Sequence, residues 1–146
     1  MTPGLYLRKR REAAGLSLGE VARQIATIQL GLVRLDRRNL LEQLERVEGD
    51  EAALTLAQAQ VLRNVFAFDP HLYMRLLARG TLPLTQICRA CACSWFDPCL
   101  PDSGARGEKA AACSWAEPDL CSACAERPSR VSIDAIPIQL SHQGAC

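Results

Sequence analysis

Seven of the chain's eight cysteines fall between Cys88 and Cys124, and none occurs in the first 87 residues. Two form a Cys-x-x-Cys pair at the start of that stretch (Cys88, Cys91) and two form another at its end (Cys121, Cys124). The large apolar residues of this region are few: Trp95, Phe96, Leu100, Trp115 and Leu120. So small a set cannot offset the chain entropy lost on folding, so a metal or disulfide staple is expected. The N-terminus, MTPGLYLRKRREAAG, places charge where a secretory signal needs its apolar core. A cytoplasmic chain is therefore expected. There thiols stay reduced, and clustered cysteines bind metal more often than they form disulfides.

Zinc takes four soft ligands in a tetrahedron, and Cys-x-x-Cys supplies two of them from one tight turn. Pairing Cys88 and Cys91 with Cys121 and Cys124 gives a four-thiolate site of spacing C-x2-C-x29-C-x2-C. Cys93, Cys99 and Cys113 are then left over, and several assignments are open. Two tetrahedral sites sharing one bridging thiolate would use all seven sulfurs. Alternatively, Cys88, Cys91, Cys93 and Cys99 form a local site, leaving Cys113, Cys121 and Cys124 with an outside ligand or an open position. An iron–sulfur cluster also takes four cysteines. The plainest assignment is one zinc, with the other cysteines free or disulfide-paired. Zinc, one or two ions, is favoured by ligand type.

Little points to catalysis. Neither histidine (His71, His142) lies inside the cluster, and the nearest acids are Asp97, Glu117, Asp119 and Glu126. The first three sit beside proline or in turn sequence, so a structural centre is expected and not an enzyme. Trp95 and Trp115 are expected to cover the metal loops as core. They belong to an internal echo, Cys93-Ser94-Trp95-Phe96-Asp97-Pro98 and Cys113-Ser114-Trp115-Ala116-Glu117-Pro118, which suggests two related loops. Cys146 reads as an incidental terminal thiol.

The first 80 residues read as helical throughout. Thr2-Pro3 is a cap followed by proline at the first helical position, and Gly15 ends that helix. Ser17 and Glu20 form a capping box opening a second helix, with Leu18, Val21, Ala22 and Ile25 on one face. The apolar stretch 27–35 suits either an extension of that helix or a packed loop. Asp36 can cap a third helix over 37–48, with Leu40, Leu41, Leu44 and Val47 inward and Gly49 as its stop. Thr55 caps a fourth over 56–66, and Asp69-Pro70 a fifth over 71–79, stopped by Gly80. Five short helices with tight turns suit a small bundle.

The segment LYLRKRREAAGLSLGEVARQIA resembles the opening of the XRE/Cro-C1 family of helix-turn-helix regulators. LEQLERVEGDEAALTLAQAQVLRNVFAFDP resembles that family's third and fourth helices and their connections, so the likeness covers roughly residues 4–78. Here residues 27–36 intervene where the family has a short turn. CSWAEPDLCSAC looks like a motif of small phage and prophage proteins. The resemblance implies double-stranded DNA as partner and a homodimer. It implies base contacts from Arg37, Arg38, Asn39 and Gln43 on the third helix. Phosphate contacts would come from Arg8, Lys9, Arg10, Arg11, Arg23 and Arg34.

Charge patterning agrees in sign. Residues 1–80 carry 12 basic against 9 acidic side chains, while residues 81–127 carry 4 against 6. Any phosphate attraction should therefore reside in the first part. No apolar run approaches the roughly 18 residues of a membrane span. The expected architecture is mainly α. A helix-turn-helix-like bundle spans 1–80. A Cys-rich metal-stapled module spans 81–127, entered through an extended linker at 81–87. A tail follows at 128–146 in which VSIDAIPIQL is compatible with an edge strand. The expected function is a DNA-binding transcriptional regulator of phage or prophage type with a structural zinc module. The alternative is a zinc-stabilised adaptor whose helix-turn-helix has lost DNA and whose Cys-rich module docks a protein partner. A metal-dependent or redox enzyme stands third.

Overall fold

The computed structural model describes residues 1–28, 37–78, 86–99 and 112–126. Helix α1 (Pro3–Ala13) starts at Thr2, whose hydroxyl accepts from Leu5 N–H, and the chain leaves it through Gly15 at φ 71°. Helix α2 (Leu18–Ile28) opens on the expected capping box: Glu20 N–H donates to Ser17 Oγ, and Glu20 Oε2 accepts from Ser17 N–H. It then turns Val21, Ala22 and Ile25 inward. The rest of the 27–35 stretch, and the cap expected at Asp36, lie outside the described residues.

Helix α3 (Arg37–Glu48) buries Leu40, Leu44 and Val47. It stops before Gly49, but the left-handed residue of the turn is Asp50 at φ 61° and not the glycine. Aspartate is one of the few side chains that visit this conformation, and here its Oδ1 accepts from Gly4 N–H at the start of α1, at 2.7 Å. Helix α4 (Leu56–Arg63) has a capping box between Thr55 and Gln58, and ends three residues short of the expected Phe66. Helix α5 (Pro70–Leu77) starts under Asp69, whose carboxylate accepts from His71 N–H.

The bundle packs α1 on α3 and α5, α2 on α3, and α4 on α5. Two buried tyrosines fasten it. Tyr6 Oη accepts from Asp69 N–H at 2.9 Å, and Tyr73 Oη accepts from Leu54 N–H at 3.0 Å. Burial pushes the Tyr6 phenol far above its ordinary range, so it stays neutral. Phe68 meets Tyr6 edge-on and lies against Phe66.

The α1–α3 crossing is close because Gly4 has no side chain. A Cβ there would stand 2.6 Å from Val47 O, 2.7 Å from Glu48 O and 2.9 Å from Asp50 Oδ1. These are mostly backbone atoms that cannot rotate away. Gly4→Ala is therefore expected to destabilise the fold by about 1–3 kcal/mol, read as a lower urea midpoint at unchanged slope.

The Cys-rich region adds a two-stranded antiparallel hairpin and a short helix, none of them foreseen: β1 (Trp115–Glu117), β2 (Leu120–Cys121) and α6 (Ser122–Ala125). The bundle's core continues into this region across the boundary drawn from composition. Ala92 is fully buried within the bundle's apolar cluster, and Ile87 packs against the same cluster. Lys9 Nζ donates to Ala90 O at 3.3 Å. Arg10, itself 6% exposed, donates from Nε to Ala67 O and forms an ion pair with Asp97 at 2.5 Å. Burial of Asp97 raises its pKa despite that neighbour. The tail strand proposed within 128–146, and Cys146, lie outside the described residues.

Candidate metal centre

Three turns bring seven sulfurs together. In the first, Ala92 N–H donates to Cys88 O and Cys88 N–H to Cys93 O, both at 2.9 Å, folding Cys88, Cys91 and Cys93 into one knuckle. The fold needs Ala92 at φ 61°, a left-handed conformation that costs an alanine about 1–2 kcal/mol. In the second, Ser94 and Asp97 exchange backbone hydrogen bonds at 3.2 Å each, and the chain doubles back so that Cys99 meets Cys91. Cys113 N–H then donates to Cys99 O at 3.0 Å. In the third, the β1–β2 hairpin sets Trp115 opposite Cys121. Cys121 leads into α6, which carries Cys124. Arg89 ties the first turn to the third: its N–H donates to Asp119 O, and its guanidinium pairs with Glu117 at 2.8 Å and with Asp119.

The sulfurs crowd into overlapping groups of four. Cys88, Cys91, Cys93 and Cys121, all buried, have their Sγ atoms within 4.8 Å of one another; so do Cys93, Cys99, Cys113 and Cys121. A tetrahedral ion with metal–sulfur bonds of about 2.3 Å places its sulfurs about 3.8 Å apart. Cys91–Cys121 at 3.8 Å and Cys93–Cys113 at 3.7 Å match that edge. Cys91–Cys99 at 3.2 Å is the tightest contact, still far from the roughly 2.05 Å of a disulfide. All seven described cysteines are unpaired thiols. This cluster has the spacing of a metal site.

The electrostatics point the same way. Hydrogen bonds from Cys93 and then Cys99 lower the pKa of the Cys91 sulfur. The pairing with Cys91 pushes Cys93 far up, and it is the main reason Cys99 is pushed up to about 12. Burial, then Cys91, raises Cys124. Sulfurs this close cannot ionise together without a cation among them.

All seven cysteines expected as ligands gather here. Cys88, Cys91 and Cys121 share a group with Cys93, and Cys91 also meets Cys99. Cys124 packs against the same cluster. Trp115 is half-buried against the cysteines as expected. Trp95 is not core: it is 71% exposed and Phe96 is 73% exposed. The two copies of the echo diverge because the first is held against α1 by Asp97 and Arg10. That contact leaves its aromatic residues facing outward.

The residues expected to contact DNA are dispersed. Arg10 and Arg11 are buried. Arg11 grips Glu48 through two hydrogen bonds of 2.7 and 2.8 Å and donates to Leu16 O, so it has no surface for a phosphate. Arg10 is equally enclosed between Ala67 and Asp97. Arg8 pairs with Glu48, and Lys9 reaches Ala90. Arg10 and Arg11 are internal because α1 packs between α3 and the Cys-rich region, while Arg8 remains exposed. Arg23, Arg38, Asn39 and Gln43 are exposed. Arg37 heads α3, its side chain outside what is described, and Arg34 lies outside the described residues altogether.

Three contributors escaped sequence reading. Ala92 carries no chemical label, although a residue squeezed between Cys91 and Cys93 is a natural left-handed position. Arg89 and Asp97 were legible as charges, but their partners are 30 and 87 residues away in sequence.

No family model matches the chain, and neither the curated proteins nor the solved structures contain a significant match. Among the described residues, no helix is long and apolar enough to cross a membrane.

Proposed function

We propose that the chain is a zinc-stapled adaptor that binds a protein partner through the Trp95–Phe96 turn. The exposure of these two rings, 71% and 73%, carries the reading. The turn is rigid: Ser94 and Asp97 close it, Cys93 and Cys99 anchor its ends in the cluster, and Asp97 pins it to Arg10. Two large aromatics held out on a preorganised turn lose little entropy on binding and suit an apolar cleft in a partner. Arg63 and His71 border the same cleft as Phe96 and supply a polar rim.

Zinc fits the donor set better than an iron–sulfur cluster does. Thiolates suit either, but the inorganic sulfide of a cluster would hold the cysteine sulfurs further apart than the edge of one tetrahedron. Retention of zinc by free thiols fits a reducing, cytoplasmic setting. No catalytic chemistry is part of this proposal.

The second reading, a dimeric DNA-binding regulator of the XRE/Cro-C1 kind, is favoured by one observation: Arg38, Asn39 and Gln43 lie exposed on α3, with Arg23 exposed on the adjoining α2. One experiment separates the two. Immobilised full-length protein and the Trp95→Ser/Phe96→Ser variant are exposed to lysate of the producing cell and to duplex DNA at several salt concentrations. The adaptor reading expects a stoichiometric protein retained by the parent and lost, by at least about 30-fold in affinity, from a variant with unchanged metal content. Salt-dependent DNA retention that the double substitution leaves untouched, with no such protein, selects the regulator.

A further inference from the structure

We infer that the partner of the Trp95–Phe96 turn presents an acidic peptide segment, whose carboxylates are held by Arg63 and His71 while an apolar side chain beside them packs on Phe96. The inference rests on the adaptor reading and names the chemistry of the partner that this reading leaves open.

A cleft of about 350 Å³ lies between the turn, the end of α4 and the start of α5. That volume is at the small end of ligand-sized clefts. Phe68 and Leu72, both buried, give it an apolar wall, and Phe96 lines it while remaining 73% exposed. The basic side chains come from two helices. Arg63 is the last residue of α4, and His71 and Arg75 stand one turn apart on α5 and so share a face. Arg63 and His71 are exposed.

Asp69 and Asp97 also line the cleft, but both are committed within the fold. Asp69 caps α5, its Oδ1 accepting from His71 N–H at 2.8 Å. Asp97 lies 2.5 Å from the buried Arg10. Burial raises the Asp97 pKa, and Arg10 and then Arg63 act against that rise, so the Arg63 charge is felt inside the cleft. Arg10, Arg63 and Arg75 therefore stand against Asp69 and Asp97, which leaves an excess of positive charge. An apolar wall under a basic rim complements a segment in which an acid neighbours an apolar side chain.

A single strand of nucleic acid would also bring anions to these bases and a ring to Phe96. Such a strand needs a basic track along its phosphates. Around the turn, residues 81–127 carry 4 basic against 6 acidic side chains, and the two aspartates lie in the cleft itself. Isolated carboxylates beside an apolar side chain meet these groups with less repulsion, so the charge pattern favours the peptide.

The test selects random peptides displayed on phage against the full, zinc-loaded chain, with the Trp95→Ser/Phe96→Ser variant as counter-selection. Enriched peptides are expected to place Asp or Glu close to Leu, Phe or Trp. A fluorescent copy of the most enriched peptide should lose about tenfold or more in affinity on Arg63→Glu, as for loss of a hydrogen bond to a charged group. It should regain most of that when its own acid is exchanged for Lys, a rescue that a purely structural role for Arg63 does not give. Magnetic resonance of the isotope-labelled parent should show the peptide shifting the amides of Arg63, His71 and Phe96, and this needs no variant to fold. Enriched peptides without an excess of acids, equal affinity for parent and Arg63→Glu, failure of the charge exchange, or shifts confined to other surfaces overturns the inference while the adaptor reading stands. Labelled oligothymidine that binds more tightly than the peptide and is lost on Arg63→Glu overturns it in favour of nucleic acid. No peptide enriched over the counter-selection overturns both the inference and the adaptor reading.

Discussion

Stripping metal from the reduced protein is expected to unfold the region around residues 86–126 and to lower the thermal midpoint of the helical bundle with it. Structural zinc contributes about 10–16 kcal/mol of apparent binding free energy, all of it available to a segment that has no other core. Its buried side chains are mainly the cysteines themselves, with Trp115 and Leu120 only partly covered. The bundle should register the loss because Ala92 and Ile87 belong to its own apolar packing and Asp97 neutralises the buried Arg10. With the turn melted, Arg10 keeps its charge in a poorly solvated position. Chelator titration followed by helical circular dichroism and tryptophan fluorescence reads both effects. Trp115 should shift on release, whereas Trp95, already in water, should change little. Acid should act like the chelator. Ligand sulfurs must be deprotonated to bind, so affinity and the stability linked to it fall as pH falls. An unchanged melt after complete metal removal would show that the cysteines are not what holds this region.

Loss of the Arg11–Glu48 pair is expected to produce the second large effect. The two side chains are 11% and 6% exposed and share two short hydrogen bonds, while Arg11 also donates to Leu16 O. Glu48 is the last residue of α3, where the helix dipole disfavours a negative charge, so the guanidinium is its main compensation. The same contact keeps Arg11 charged to higher pH than usual. Arg11→Ala leaves the buried Glu48 carboxylate with only its longer, 3.6 Å pairing to the half-exposed Arg8, and should cost up to about 3–5 kcal/mol, measured by urea unfolding of metal-loaded protein. Arg11→Met with Glu48→Leu should recover most of that loss, because replacing both partners removes the uncompensated charge. If the single and double variants are equally unstable, the contribution lies in packing and not in the ion pair.

Most of the helical part was legible because its signals are local. Thr2, the Ser17–Glu20 box, Thr55 and Asp69 each act on backbone groups two or three residues away, and each sits where sequence places it. The far end of α4 was misplaced for the opposite reason. Its apolar run continues to Phe66, but the chain leaves the helix after Arg63 so that Phe66 and Phe68 can face Tyr6 and the core. Arg10 and Arg11 read as surface charge because charge is visible in sequence and burial is not. Trp95 misled in reverse: a large ring in a poor core suggests a buried position, until a distant arginine turns its loop outward.

Sequence by itself determined where the five helices start and the thiol-rich character of the second part. These follow from residue type and short spacing, which operate within a turn or two of chain. Tertiary structure alone decided which sulfurs meet, that Trp95 faces outward, and that the bundle's core closes over Ala92. Those outcomes depend on how three turns and α1 pack together, and packing couples residues whose separation along the chain carries no local signal.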